Sequence, residues 1–371
     1  MWNNSVGAGI ENKARYDHVF IALCVLLMGI GLVTLYSASY AFAGRWFNDK
    51  LFFLKRQALF AALSFLLFFF ASRIKIETVK KFVMPLVLGA AFLCIVLFIP
   101  GIGTTKNGAT RWIDLGPLTI QPSELVKIVL PLYLAYIFDK KKDKLDDFRS
   151  GVLPPVIVTI VFFALIYFQN DFSTALFIAL NSLVIFFIAG VKLRYFICAV
   201  VILIPVSALL IMTKEYRLLR FISFFDPAFD VSGAGFQVDN STRAIASGGF
   251  WGKGIGQGVL KIASVPEIQS DFIFASFAEE TGFIGVFLFM ASFVFFALRG
   301  YKIALGSSDT FNKLLSFALV TIIVSQVVMN IAVVSGAIPA TGIPLPFFSA
   351  GGTSLVITFI ASGLVANISR G

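Results

Sequence analysis

The chain has 371 residues, of which 58% are hydrophobic and only 13% charged, and 43 are Phe. Soluble domains carry about 25% charged residues, so an ordinary soluble globular protein is excluded and a chain surrounded by lipid remains. The formal charge of +10 would suit a nucleic-acid partner, but the basic residues fall in short clusters between apolar runs, as membrane-topology signals do; no nucleic acid is expected.

A run of about 20 apolar residues spans the hydrocarbon core as a helix. The runs here are continuous, whereas a membrane β-barrel would alternate. Ten candidate spans lie near 18–40, 52–72, 82–100, 123–138, 152–168, 173–190, 194–213, 272–298, 313–336 and 346–367. The expected fold is therefore all-α, a single polytopic membrane domain over 1–371. Lys13 and Arg15 precede the first run and "AFAG" follows it, as in a signal peptide. That run is longer than a typical signal core and more spans follow, so it reads as a retained helix.

Two connections are long, 101–122 and 214–271. Placing the N-terminus inside puts Lys13, Arg15, Arg73, Lys75, Lys80, Lys81, Lys140, Lys141, Lys142, Lys144, Arg149, Lys192, Arg194, Arg299, Lys302, Lys313 and Arg370 on the cytoplasmic side. The short loops opposite hold only Arg45, Lys50, Lys106 and Arg111. This bias predicts cytoplasmic termini, with residues 1–17 as the N-terminal one, and two long loops facing out. "DKKKDKLDDFR" at 139–149 reads as a solvated cytoplasmic loop, with contact to lipid headgroups as the alternative. Cys24, Cys94 and Cys198 sit within apolar runs without CxxC spacing and read as small buried hydrophobes. His18 is the sole histidine, which argues against a histidine metal centre or a catalytic triad.

Charges at membrane depth are the informative residues, because each costs about 2.5–3.5 kcal/mol to insert. Arg56 lies near the outer start of the second span. "NGATRWIDLGPLTIQPSELVK" (107–127) brings Arg111, Trp112, Asp114, Glu124 and Lys127 to the outer end of the fourth, with Pro122 suited to a first helical turn. Glu124 and Lys127, three apart, either pair structurally or serve a site. In "QNDFST" (169–174), Asp171 is a helix N-cap or a site carboxylate. Arg217 and Arg220 in "EYRLLRFISFFDP" share a helix face, for an interfacial helix, a phosphate, or both. The glycines of "STRAIASGGFWGKGIGQG" (241–258), which also holds Arg243, lack the strand and the GK[ST] of a nucleotide loop. Asp271 in "VPEIQSDFIFASFAEETG" stands at the outer lip of the eighth span, as a general base or as a cap; Glu279 and Glu280 follow two turns later. "IPATGIPLPFFSAGGTS" (338–354) demands a non-helical entry to the last span, tolerated only against protein or a water-filled cavity.

These motifs closely resemble those of the SEDS family, the FtsW, RodA and SpoVE proteins of bacterial division, shape and sporulation. "LYSAS" (35–39), Arg56-Gln57 and "AIASGGFWGKGIG" agree as well, in order along nearly the whole chain. The resemblance implies a ten-helix peptidoglycan glycosyltransferase that polymerises lipid II on the outer face of the bacterial cytoplasmic membrane. It also implies a class B penicillin-binding protein as crosslinking partner, among other divisome or elongasome proteins. The family's essential aspartate maps to Asp271. Its "QPSE..K" maps to Gln121, Pro122, Ser123, Glu124 and Lys127, and its "NGxxRW" to Asn107, Gly108, Arg111 and Trp112. The motif closing the chain maps to Pro346, Ser349, Gly351, Gly352 and Ser354. Departures are Asn170 where the family has Pro, Ser173 where it has Gly, and Ala350 where it has Tyr. "QNDF", "YRLLR…FFDP" and "GFQ" lean towards the FtsW branch, "ATGIPLPFFS" towards RodA.

The implied reaction displaces undecaprenyl pyrophosphate from an anomeric carbon, with inversion. Asp271 is the expected base; Arg56, Arg111, Lys127, Arg217, Arg220 and Arg243 are phosphate-binding candidates, accompanied by Glu124 and Asp171. A divalent cation (Mg or Mn) on the pyrophosphate is conceivable, but no dedicated ligand cluster is visible. The competing readings are a flippase for the same lipid-linked sugar, since broken helices and buried charges suit transporters too, and a non-catalytic division scaffold.

Overall fold

The computed structural model describes residues 16–106, 108–116, 119–226, 229, 233–258 and 268–371. Lys13, Arg15, Asn107, Pro266 and Glu267, on which the topology count and two motifs drew, lie outside the described residues. Each of the ten apolar runs is one helix. The first seven are α1 (His18–Trp46), α2 (Phe52–Ala71), α3 (Ile76–Val96), α4 (Pro122–Lys140), α5 (Leu153–Phe168), α6 (Phe172–Ile188) and α7 (Leu193–Met212). Two further helices, α8 (Glu215–Phe225) and α9 (Ala234–Gly248), occupy the long connection before α10 (Ile273–Gly306), α11 (Thr310–Val334) and α12 (Gly352–Ile368).

Among the described residues, seven stretches are long and apolar enough to cross a membrane: α1, α2, α3, the stretch ending in α5, α7, α10 and α11; α6 and α12 are shorter apolar helices. In α4, Glu124 and Lys127 interrupt the apolar run, and both are buried by neighbouring helices. The start of α1 meets the C-terminal parts of α10 and α12. Asp17 accepting nothing but its own cap would leave one side loose; instead its backbone N–H donates to Ser369 Oγ (3.0 Å) and its carboxylate pairs with Arg299 (2.7 Å). Asn367 on that side donates to the carbonyls of Ala71 and Ile74 at 2.9 and 2.6 Å.

Several boundaries differ from expectation, each for a physical reason. The third helix starts at Ile76 rather than near 82, because Lys80 is matched by Asp309 at 2.9 Å and Asp139 at 3.9 Å. α10 continues past 298 because Arg299 is paired, and α12 begins at Gly352 rather than 346. The connection 101–122 is not plain loop but a three-stranded antiparallel sheet: β1 (Gly103–Lys106), β2 (Ala109–Asp114) and β3 (Thr119–Ile120), with Thr104 opposite Trp112 and Ile113 opposite Ile120. Cys24 and Cys94 are buried as expected, whereas Cys198 is exposed. It lies on α7, none of whose residues is buried.

Small residues set the closest approaches, as is common where helices pack within lipid. A Cβ at Gly363 of α12 would sit 2.8 Å from the Phe68 carbonyl oxygen of α2. In α10, Gly282 breaks the helical backbone with φ 63 and ψ −164, a conformation essentially confined to glycine. There the 249–254 loop is strapped to α10: Lys253 N donates to Glu279 O and Gly254 N to Glu280 O, both at 3.0 Å, while Phe283 N donates to Gly249 O at 2.9 Å. A Cβ at Gly282 would come 2.2 Å from Gly252 N. Gly282→Ala is therefore expected to cost about 1–3 kcal/mol in backbone strain alone, read as a lower thermal unfolding temperature of the purified protein.

Candidate active site

Asp271 lies two residues before α10, in a stretch whose backbone is held from three sides. Ala350 N donates to Gln269 O (2.9 Å), and Ser349 Oγ donates to Ser270 O (2.5 Å) while accepting from Leu345 N (2.7 Å). Asn330 Nδ2 on α11 donates to both Asp271 O and Ile343 O at 2.9 Å. The segment 338–351 thus runs beside 269–271. Pro339, Pro344 and Pro346 keep it from becoming helix. Its exposed carbonyls are met by side chains instead: Gln326 donates to Pro344 O (2.8 Å) and Gln57 to Ser349 O (3.0 Å). Gly342, at φ 73, approaches the catalytic candidate itself, since a Cβ there would lie 3.3 Å from Asp271 Oδ2. Phe347, buried and at φ 68, holds a conformation unusual for a bulky residue.

Arg111 on β2 donates to Asn170 O (2.6 Å) and lies 3.7 Å from Asp171 Oδ1. Asp171 is 2% exposed and also caps α6 by accepting from Thr174 N (3.3 Å), so the cap reading holds and the carboxylate still faces Arg111. Gln121 Nε2 reaches Asp171 Oδ2 at 3.4 Å and Ser123 Oγ at 3.1 Å, from the residue just ahead of Pro122 at the start of α4. Asn170 has φ 61, which a proline could not adopt. Its side chain donates to Gly108 O and its carbonyl accepts from Tyr216 OH (3.0 Å), so the substituted position joins the sheet, α6 and α8.

Arg220 is the cation that meets the rest. Burial, and then the positive charge of Arg111, push its pKa below the ordinary arginine value; the charges of Asp271 and Asp171 act in the opposite sense. Its guanidinium reaches the Ala340 carbonyl at 3.5 Å. Asp271, Arg220, Arg111 and Asp171 therefore form one charge cluster, drawn from four different elements.

The other candidates make their contacts elsewhere. Arg217, also buried, donates to Leu210 O (3.0 Å) and Tyr216 OH (2.9 Å) and stacks 4.5 Å over Tyr167, joining α7 to α8. Arg243 is exposed and paired with Asp239 at 2.9 Å. Arg56 lies near Thr119 Oγ1 (3.4 Å). Glu124 and Lys127 form a buried pair at 2.7 Å, and Lys127 continues to Gln326 Oε1 at 3.3 Å. Through Gln326 this pair connects to Pro344 O, the wall beside Asp271. Glu279 pairs with Lys253 (2.7 Å) and Glu280 accepts from Ser37 (2.7 Å), so these carboxylates hold the glycine-rich loop and α1. Trp112 sits on β2 and Pro346, Ser349 and Gly351 on the segment before α12, with Gly352 and Ser354 in its first turn. Among the described residues, no three His, Cys, Asp or Glu side chains converge as a metal site would need.

The sequence motifs include Gln57 without a role for it, and they do not single out Tyr216, Gln326 or Asn330. A signal existed: Gln326 and Asn330 are amides spaced i, i+4 within an otherwise apolar helix, where polar groups are costly. Asn330→Leu would strand two carbonyls, at about 1–3 kcal/mol each if they stay buried. Lower thermal stability together with reduced turnover is the expected result.

A many-helix membrane protein with a carboxylate and two arginines clustered at one end is the class these observations define. The chain belongs to the FtsW/RodA/SpoVE family: the family model described as "Cell cycle protein" matches residues 17–371. It is 39% identical to a probable peptidoglycan glycosyltransferase FtsW of Geobacter sp. (strain M18), over 95% of this chain and 96% of that one. It is 36% identical to the stage V sporulation protein E of Bacillus subtilis (strain 168), covering 96% and 98%. Among solved structures it resembles a chain from a study of how a peptidoglycan synthase complex coordinates polymerization and crosslinking, at TM-score 0.79 and 26% identity over 96% and 98%. It also resembles the rod shape determining protein RodA of Thermus thermophilus, at TM-score 0.71 and 26% identity over 96% and 97%.

Proposed function

We propose that this chain is a peptidoglycan glycosyltransferase of cell division, polymerising lipid II on the outer face of the cytoplasmic membrane. The observation that carries the reading is the charge cluster, in which Arg220 feels the charges of Asp271, Asp171 and Arg111, and Arg111 faces Asp171. An acceptor sugar hydroxyl gives its proton to the Asp271 carboxylate as its oxygen bonds to the donor's anomeric carbon. The bond from that carbon to the pyrophosphate oxygen breaks, and the electron pair leaves with undecaprenyl pyrophosphate. Attack opposite the leaving group inverts the anomeric centre, so no covalent enzyme intermediate is needed.

A positioned base contributes about 10²–10⁴-fold, and a preorganised donor to developing charge about 10²–10³-fold. Arg220 and Arg111 are suited to the second task because both are already held, Arg111 by Asp171 and Asn170 O, Arg220 by Ala340 O. The basic-residue bias supports cytoplasmic termini with this end outside, where the lipid-linked substrate would be met. The likeness to a chain studied for how a synthase complex coordinates polymerization and crosslinking supports a class B penicillin-binding protein as partner.

Depletion in the source cell tests the division role. Long undivided cells lacking new glycan at the division site, rescued by the wild-type gene, are the expected result. Rounded cells that still divide would move the role to elongation, and unchanged glycan labelling would contradict a polymerase altogether.

A further inference from the structure

Beside the charge cluster lies a second space. A cavity of about 190 Å³ opens between α8, α9 and the residues that follow α11. Arg220 lines it, as do Ser223 and Phe224 of α8, Asp239 and Thr242 of α9, and Ser335 just past α11. Gly336, at φ 72, lets α9 close over it: a Cβ there would stand 3.3 Å from Thr242 Cγ2. The wall formed by Pro339 and Ala340 continues within two residues to Gly342, against Asp271. Arg220 is thus common to this cavity and the charge cluster.

We propose that this cavity is a subsite for one N-acetylated hexosamine ring of the glycan; the proposal rests on the polymerase reading and deepens it. The chemistry of the lining selects a polyol over a phosphate. Ser223, Thr242 and Ser335 give their hydroxyl protons to carbonyls of their own helices, to Arg220 O (3.2 Å), Val238 O (3.1 Å) and Ala332 O (3.2 Å). Their oxygens are left with lone pairs, and the Asp239 carboxylate, which already accepts from Arg243 at 3.1 and 2.9 Å, adds its remaining lone pairs as acceptors only. Among the described lining residues Arg220 is the one charged donor, with Arg243 held against Asp239. A sugar ring brings O–H and amide N–H donors to such a lining and presents an apolar C–H face to Phe224. A pyrophosphate brings acceptors alone and would face Asp239.

The test uses the full-length purified protein and a soluble β-1,4-linked N-acetylglucosamine oligosaccharide, with binding read by saturation-transfer NMR. Wild type is expected to bind it, Asp239→Asn about tenfold more weakly, since a hydrogen bond to a charged group is lost. Thr242→Trp, which fills the space, should bind none, and circular dichroism would confirm that both variants keep their helices. Displacement of the oligosaccharide by lipid II would assign the ring to the lipid-linked sugar. Retention alongside lipid II would assign it to the growing strand; either result upholds the subsite. No binding by wild type, or equal binding by wild type and both variants, overturns it. The parallel strand-synthesis assay separates the two claims. Strands made normally by variants that bind sugar like wild type would sink the subsite and leave the polymerase standing. Sugar bound and lost on substitution, with no strands from wild type, would sink the polymerase and leave the subsite.

Discussion

Asp271→Asn is expected to lower the rate of strand synthesis by about 10²–10⁴-fold, the usual contribution of a positioned base, while lipid II still binds. The substitution keeps the shape of the side chain and the backbone bonds from Asn330 and the neighbouring Ser349. It removes only the charge, and with it the proton acceptor. It also takes away a negative charge near Arg220 that would repel the pyrophosphate, so Arg220 should hold that group at least as well as before. Turnover and affinity should therefore part company: single-turnover kinetics show the loss, and native mass spectrometry shows substrate retained. A variant that loses binding and rate together would mean that Asp271 holds substrate instead of activating it.

Lys127→Met is expected to be the most destabilising substitution in the membrane interior. It leaves the Glu124 carboxylate, 3% exposed, without the ammonium at 2.7 Å. Breaking a buried pair from one side costs about 3–5 kcal/mol, whereas replacing both partners with residues of similar shape is often neutral. The double variant Glu124→Gln with Lys127→Met should therefore recover most of the thermal stability lost by the single one. Its activity then decides what Lys127 does. Strand synthesis near wild type would make the pair structural, acting through Gln326 on the segment beside Asp271. Stable but inactive protein would make Lys127 a phosphate ligand after all.

Most of the fold is legible in the sequence because the insertion cost of charges leaves unbroken apolar runs, and each run became a helix. The ends of α3 and α10 were misjudged where Lys80 and Arg299 find carboxylates on other helices; one sequence lists charges but not their partners. The small sheet was missed although "NG" at 107–108 sits between alternating residues, a recognised hairpin signal. At the site, the residue types were legible and their grouping was not. Arg217 and Arg220 share a helix face by spacing, yet Arg217 turns to the end of α7 and Arg220 to the Asp271 cluster. Asp171 posed a choice between cap and site; the structure shows the cap on α6 and adds Arg111 opposite the same carboxylate. Asn330 and Gln326 were passed over because an amide carries no charge, though at that depth each needs a partner as firmly as a charge does.

The account's central claim is that this chain itself builds glycan strands from a lipid-linked disaccharide. It is tested most directly by purified protein in vesicles given fluorescent lipid II, with and without its cognate penicillin-binding protein, and products separated by length. A ladder of long strands that a muramidase digests is the predicted result. Folded protein that yields no strands even with its partner present, and only moves lipid II across the bilayer or leaves it untouched, would contradict it.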